Sequence, residues 1–171
     1  MLDAIPARPG AYILNIALGR PLVIDTARLR GTLYAGTYAY AGSARGPGGL
    51  RSRIARHLKT EKRAHWHIDR LTLTGRVTGI AFTEDVGECD LAQAIAASVG
   101  AAVPLAGFGS SDCRRCRAHL IRLPSLESLP STVASITAII ENATVRYLAL
   151  SPAAEPPTAT PYGAPCPACP E

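Results

Sequence analysis

Residues of four types that do chemistry on phosphates, tyrosine, arginine, histidine and glutamate, fall at telling positions along the chain. Tyr38 and Tyr40 alternate with Ala39 and Ala41, so both rings leave one face of a strand. Tyr12 lies two residues into an earlier aliphatic run, and it shares a surface with Tyr40 if the two strands are neighbours. Tyrosines in strands also pack sheets with their hydroxyls turned to water or backbone. Downstream, Leu50, Ile54 and Leu58 recur at helical spacing, with Arg53 and His57 one turn apart beside that stripe. This places Arg53 and His57 at the margin of the core, where a guanidinium can fork onto a phosphate or simply snorkel. Arg51, Ser52, Arg56 and Lys59 are expected to face solvent. Glu88 shares a helix face with Leu91 and Ile95. A carboxylate there is costly without compensation. It can hold Mg²⁺ together with phosphate oxygens and water, or it can serve the dipole of the helix N-terminus.

Charge supports a polyanion as one reading. The 18 basic and 13 acidic residues give a net charge of +5. Between Arg28 and Arg76 the basic residues outnumber the acidic ones, Glu61 and Asp69, by 11 to 2. A concentrated positive segment suits nucleic acid, where each neutralised phosphate releases counterions. A solvated basic face is the alternative.

The elements that would position these residues are legible in outline. GAYILNIAL (Gly10 to Leu18) reads as a central strand ending at the turn GRP, PLVID as a short strand, and GTLYAGTYAYAGS as one or two more. GPGG opens a helix expected from Leu50 to Arg63. HWHIDRLTLTG becomes a short helix, and RVTGIAFTEDV a strand with Val77, Ile80 and Phe82 in the core. ECDLAQAIAASVG is a helix stopped by Gly100. RAHLIRL and VRYLAL read as strands, and residues 125–144 carry helical spacing. This order gives a small mixed α/β or α+β domain. His65 and His67 flank Trp66 in a binding loop or a structural cluster, and Trp66 is expected to plug the core.

Together GAY (Gly10–Tyr12), YAG (Tyr40–Gly42), the helix LRSRIARHL and the later Glu88 resemble the GIY-YIG nuclease superfamily. The wider phrases YAYAGSARGPGGLRSRIARHL, HWHID, GECDLA and FGSSDC resemble its Uri-type subgroup. The likeness spans about residues 10–123. It implies a three-stranded antiparallel sheet flanked by helices and metal-dependent hydrolysis of DNA phosphodiesters, with DNA repair as one setting. Tyr12 or Tyr40 would orient or deprotonate water, Arg53 would stabilise charge on the phosphoryl oxygens, and His57 would assist the base or bind phosphate. Glu88 would hold one Mg²⁺ or Mn²⁺. Ser43 and the glycines after it would admit the DNA backbone, and Arg45, Arg51, Arg56 and Lys59 would add phosphate contacts. Ala11 and Ala41 stand where relatives carry isoleucine, and the longer spacing between the two motifs implies an extra hairpin. A nucleic-acid-binding module without turnover is the alternative on the same fold.

The five cysteines, an odd number without an export signal, argue against a disulfide scaffold. Cys113 and Cys116, followed by His119, could share a zinc ion with Cys166 and Cys169. No stretch is long and apolar enough to span a bilayer, so the expected setting is cytoplasmic with no membrane partner. The expected organisation is a nuclease-like domain over 1–123, a helix and strand extension over 124–150, and a Pro-rich, disordered tail over 151–171.

Overall fold

The computed structural model describes residues 2–98, 100–124, 130, 133–134 and 143–150. Cys166, Cys169 and the Pro-rich tail lie outside the described residues, as does most of the 125–144 segment. After a short 3₁₀ turn at Leu2–Ala4, the described elements are β1 (Gly10–Leu18), β2 (Leu22–Asp25), β3 (Arg30–Leu33), β4 (Gly36–Ala44), α1 (Gly49–Leu58), α2 (His67–Thr74), β5 (Arg76–Thr83), α3 (Glu88–Ala96), β6 (Leu120–Leu123) and β7 (Arg146–Ala149).

The sheet is antiparallel with order β6-β4-β1-β5-β7, so it carries five strands where three were expected. β4, β1 and β5 form its centre. RAHLIRL and VRYLAL read correctly as strands, but their short apolar patterns carry no address, and pairing puts them on the two outer edges. The expected extra hairpin exists as a separate β2–β3 ribbon.

Period-two alternation gives the sheet two different faces. Tyr12, Leu14, Ile16, Tyr38, Ile80 and Phe82 lie under α1 and α2, packed with Leu50, Ile54, Ile68 and Leu71. The opposite face carries Ala11, Ala39, Ala41 and Ala81, each fully buried, against Leu91 and Ile95 of α3. Small side chains flatten this face, and α3 packs directly on β4 and β1. Ala11 and Ala41 therefore belong to a layer of alanines matched to the helix. Of the three core residues expected in β5, Ile80 and Phe82 are buried and Val77 is half-buried.

α1 stops at Leu58, five residues before the expected end. Lys59 turns to extended backbone (φ −64°, ψ 128°). The Lys62 ammonium then folds back to donate to the terminal carbonyls of His57 (2.6 Å) and Arg56 (3.4 Å). A cation on open C-terminal carbonyls satisfies them and complements the helix dipole. α3 ends at Ala96, and Gly100 (φ +74°) sits in the turn beyond it.

An Ala41→Ile substitution pushes a larger side chain into the layer beneath α3. The expected cost is about 1–3 kcal/mol of unfolding free energy, measured by urea denaturation.

Candidate functional site

β1 and β4 pair in the register Tyr12↔Gly42 and Leu14↔Tyr40, which brings both tyrosines to the α1 side as expected. Gly42 is what makes this possible. A Cβ at Gly42 would stand 2.5 Å from the Tyr12 hydroxyl and 3.0 Å from the Tyr40 ring. The glycine of YAG is therefore a seat for the two rings. Tyr38, on the same face, is buried and donates its hydroxyl to the Tyr34 carbonyl, so it is structural.

Beyond the ladder between Tyr40 and Leu120, Ala41 N–H still reaches the His119 carbonyl (2.9 Å), and the paired strand goes no further. A cleft of about 610 Å³ occupies this end of the sheet. Tyr12, Tyr40, Ser43, Arg53, His57 and Glu88 all line it. The expected chemical residues thus converge, although Glu88 comes from α3 on the opposite face. Loop residues from Gly109 to Arg115 close the remaining side. Gly109 (φ +72°) lets that loop cross Tyr40, since a Cβ there would sit 2.7 Å from its ring.

His57 departs from expectation. It is buried, not marginal, and its Nε2 meets the Tyr12 hydroxyl at 2.7 Å. Its Nδ1 lies 3.8 Å from Asp69 Oδ1. A bare lone pair facing a carboxylate is unfavourable, so the neutral ring carries its proton on Nδ1, which leaves Nε2 to accept from Tyr12. Burial, followed by the nearby Lys62 charge, lowers the His57 pKa to about 4. Burial pushes the Tyr40 phenol up to about 12 and Tyr12 well above its ordinary value, and Arg53 opposes both shifts.

Asp69 is a residue of this site that sequence reasoning missed. Fully buried, it accepts both guanidinium nitrogens of Arg56 (2.8 and 3.0 Å) and the backbone N–H groups of His65 (2.9 Å) and Trp66 (3.0 Å). Burial alone would raise its pKa. The bonds from Arg56, Trp66 and His65 overcome this and hold the carboxyl far below its usual range. The only hint in the sequence was an acid at the third position of a helix that opens with HWHI, a site that suits capping.

Arg56 is thereby corrected from a solvent-facing phosphate contact to the partner of Asp69. Trp66 is corrected too. Instead of plugging the core it is 37% exposed, and the Arg53 and Arg56 guanidinium carbons lie 4.5 and 4.1 Å from its ring centroid. Arg53 has no carboxylate partner among the described residues and lines the cleft, free to meet an anion. His65 and His67 line the same cleft, packed on Trp66 and Phe108. Arg51 is tied to the Ile5 carbonyl (2.8 Å), away from the cleft. Lys59 is exposed beyond the end of α1. Arg45 sits 3.9 Å from Glu88.

Cys166 and Cys169 lie outside the described residues, so their sharing of a zinc ion with Cys113 and Cys116 is not addressed by the structure, and a local group stands among the described residues. Cys89, Cys113, Cys116 and His119 place their donor atoms within 4.8 Å of one another. The sequence presents Cys89 only as part of a helix. Glu88, by contrast, stands outside this group and lines the cleft as a carboxylate.

The fold is an α+β domain with helices on both faces of an antiparallel sheet, and its cleft joins tyrosine, histidine, arginine and carboxylate. The chain belongs to the family described as domain of unknown function DUF123, whose model matches residues 11–142. Comparisons with curated proteins and with solved structures return no match.

Two measurements test this geometry. Asp69→Ala leaves the Arg56 guanidinium and two N–H groups without their acceptor, and should cost about 3–5 kcal/mol by chemical denaturation. Between pH 6.5 and about 4 the unfolded chain binds a proton at His57 that the folded chain refuses. The His57 contribution is therefore complete above pH 6.5 and declines on acidification through that window, by about 3 kcal/mol. Wild type and His57→Gln should differ by this slope in thermal melts across pH.

Proposed function

We propose that this protein is a metal-dependent nuclease that hydrolyses DNA phosphodiesters in the cleft at the end of β4. The observation that carries the reading is the buried Tyr12–His57 hydrogen bond, which opens onto a space shared with Tyr40, Glu88 and Arg53, the last without a carboxylate partner among the described residues. The concentrated positive charge of the surrounding segment and the resemblance to GIY-YIG nucleases support it further.

In this reading the scissile phosphate lies against Arg53, whose fork geometry matches two phosphoryl oxygens and whose plane is steadied by Trp66. The attacking water gives its proton to the Tyr12 oxygen as Tyr12 passes its own to His57 Nε2. His57 is neutral at physiological pH and can accept it. Asp69, facing Nδ1, stabilises the imidazolium that forms. Tyr40 supplies a second hydroxyl at the cleft wall, and Ser43 lies where the substrate backbone passes. Mg²⁺ or Mn²⁺, held by Glu88, would supply Lewis-acid stabilisation of charge on the phosphate.

The test is cleavage of single-stranded, nicked and branched DNA in Mg²⁺ or Mn²⁺. Glu88→Gln and Arg53→Ala should each lower the rate by about 10²-fold or more, with Glu88→Gln leaving salt-dependent DNA binding in place. Cleavage at the wild-type rate in either variant overturns these roles. Binding without cleavage by the wild-type protein leaves a nucleic-acid-binding module.

A further inference from the structure

Four soft or borderline donors converge on one side of the cleft and do no work in the proposed hydrolysis. Cys89 Sγ lies 3.4 Å from Cys113 Sγ and 3.8 Å from His119 Nε2. The edge of a tetrahedron around zinc, at about 2.3 Å to sulfur and 2.0 Å to nitrogen, is about 3.5–3.8 Å. The spread is sized for a single ion. The three cysteines are free thiols, and a 3.4 Å separation is well beyond a disulfide bond of about 2.05 Å.

A second, independent feature lies in the backbone. The N–H groups of Arg115 and Cys116 both point at Cys113 Sγ, each at 3.3 Å. Two amide donors on one sulfur stabilise a thiolate, the form that binds metal. The turn is also docked on α3 without any ion. Arg115 bonds Asp90 (3.0 Å) and Gln93 bonds the Arg115 carbonyl (3.5 Å). His119 is buried, and its backbone is fixed by bonds to Phe108 and Ala41. The donors are thus held near their final positions before metal arrives.

We propose that Cys89, Cys113, Cys116 and His119 bind one Zn²⁺ in a closed, four-coordinate structural site. Three thiolates and a neutral imidazole favour zinc over hard cations. Four protein donors leave no open position for catalysis. Binding displaces the thiol protons to solvent. The ion joins three places distant in sequence: the first turn of α3 beside Glu88, the loop crossing Tyr40, and the start of β6, where His119 pairs with Ala41. It fixes the wall from which Glu88 enters the cleft. The tail pair Cys166 and Cys169 is not needed. The site stands apart from the nuclease reading, since its test involves neither substrate nor turnover.

The experiment is metal analysis of the full chain purified under reducing conditions, with Co²⁺ substitution as an optical probe. One zinc per chain is expected. Co²⁺ should give the visible bands of a tetrahedral site and thiolate charge transfer, in the wild type and equally in Cys166→Ser/Cys169→Ser. These two proteins leave the four donors untouched, so a folding defect in a ligand variant does not blur the result. Cys89→Ser should lose the zinc or bind it at least 10-fold more weakly. Absence of a tetrahedral thiolate spectrum in the wild type overturns the proposal. So does zinc that follows the tail pair, or zinc that Cys89→Ser retains at wild-type affinity.

Discussion

A carboxylate without contact with water must be answered by the protein, and Asp69 is answered from three directions. Arg56 comes from α1, and the N–H groups of His65 and Trp66 come from the loop before α2. Removing water from this charge costs several kcal/mol, and only a complete set of donors offsets that. The loop and both helices are therefore committed to one arrangement. Trp66 is held beside the guanidiniums of Arg53 and Arg56, and His57 has its Nδ1 turned toward the carboxylate. The positions of His57 and of Arg53 both trace back to this single buried charge.

The two faces of the sheet carry different burdens. The tyrosine face holds the hydrogen-bonded pair Tyr12 and His57, where each buried hydroxyl and ring nitrogen requires a partner or a favourable field. The alanine face contains little to position chemistry. Its role is to let α3 lie close, so that the helix N-terminus projects Glu88 past the edge of β4 into the cleft. Both faces can serve one site because pairing between β4 and β6 stops at Tyr40. A longer β6 would wall Glu88 off from the tyrosines.

Local periodicity made much of this legible. Strand alternation placed Tyr38 and Tyr40 on one face, with Tyr12 joining them if its strand is their neighbour, the i, i+4, i+8 stripe of α1 set Arg53 and His57 beside the core, and the spacing between the two motifs implied the hairpin. What escaped depended on contacts between segments far apart in sequence. Asp69 looked like one acid in a basic stretch, because nothing in its neighbourhood says that Arg56 lies above it. The same missing contact sent Arg56 to solvent and Trp66 into the core. The end of α1 depended on Lys62 folding back, which helix propensity does not register. Cys89 was hidden inside an ordinary amphipathic helix, while the visible CxxC pairs drew attention to the tail.

Cys89 and Glu88 are consecutive residues in the first turn of α3, yet their chemistries are kept apart. A lone carboxylate with water and phosphate around it favours small hard cations, whereas three thiols and an imidazole favour zinc. Successive helix positions diverge by about 100°, and both side chains line the cleft, with Cys89 on the side of the cysteine turn. A zinc ion held on the cysteine side would not occupy the carboxylate, and a hard cation at Glu88 would not displace zinc from sulfur. Ligand preference, more than distance, is what would separate two metals on one helix turn.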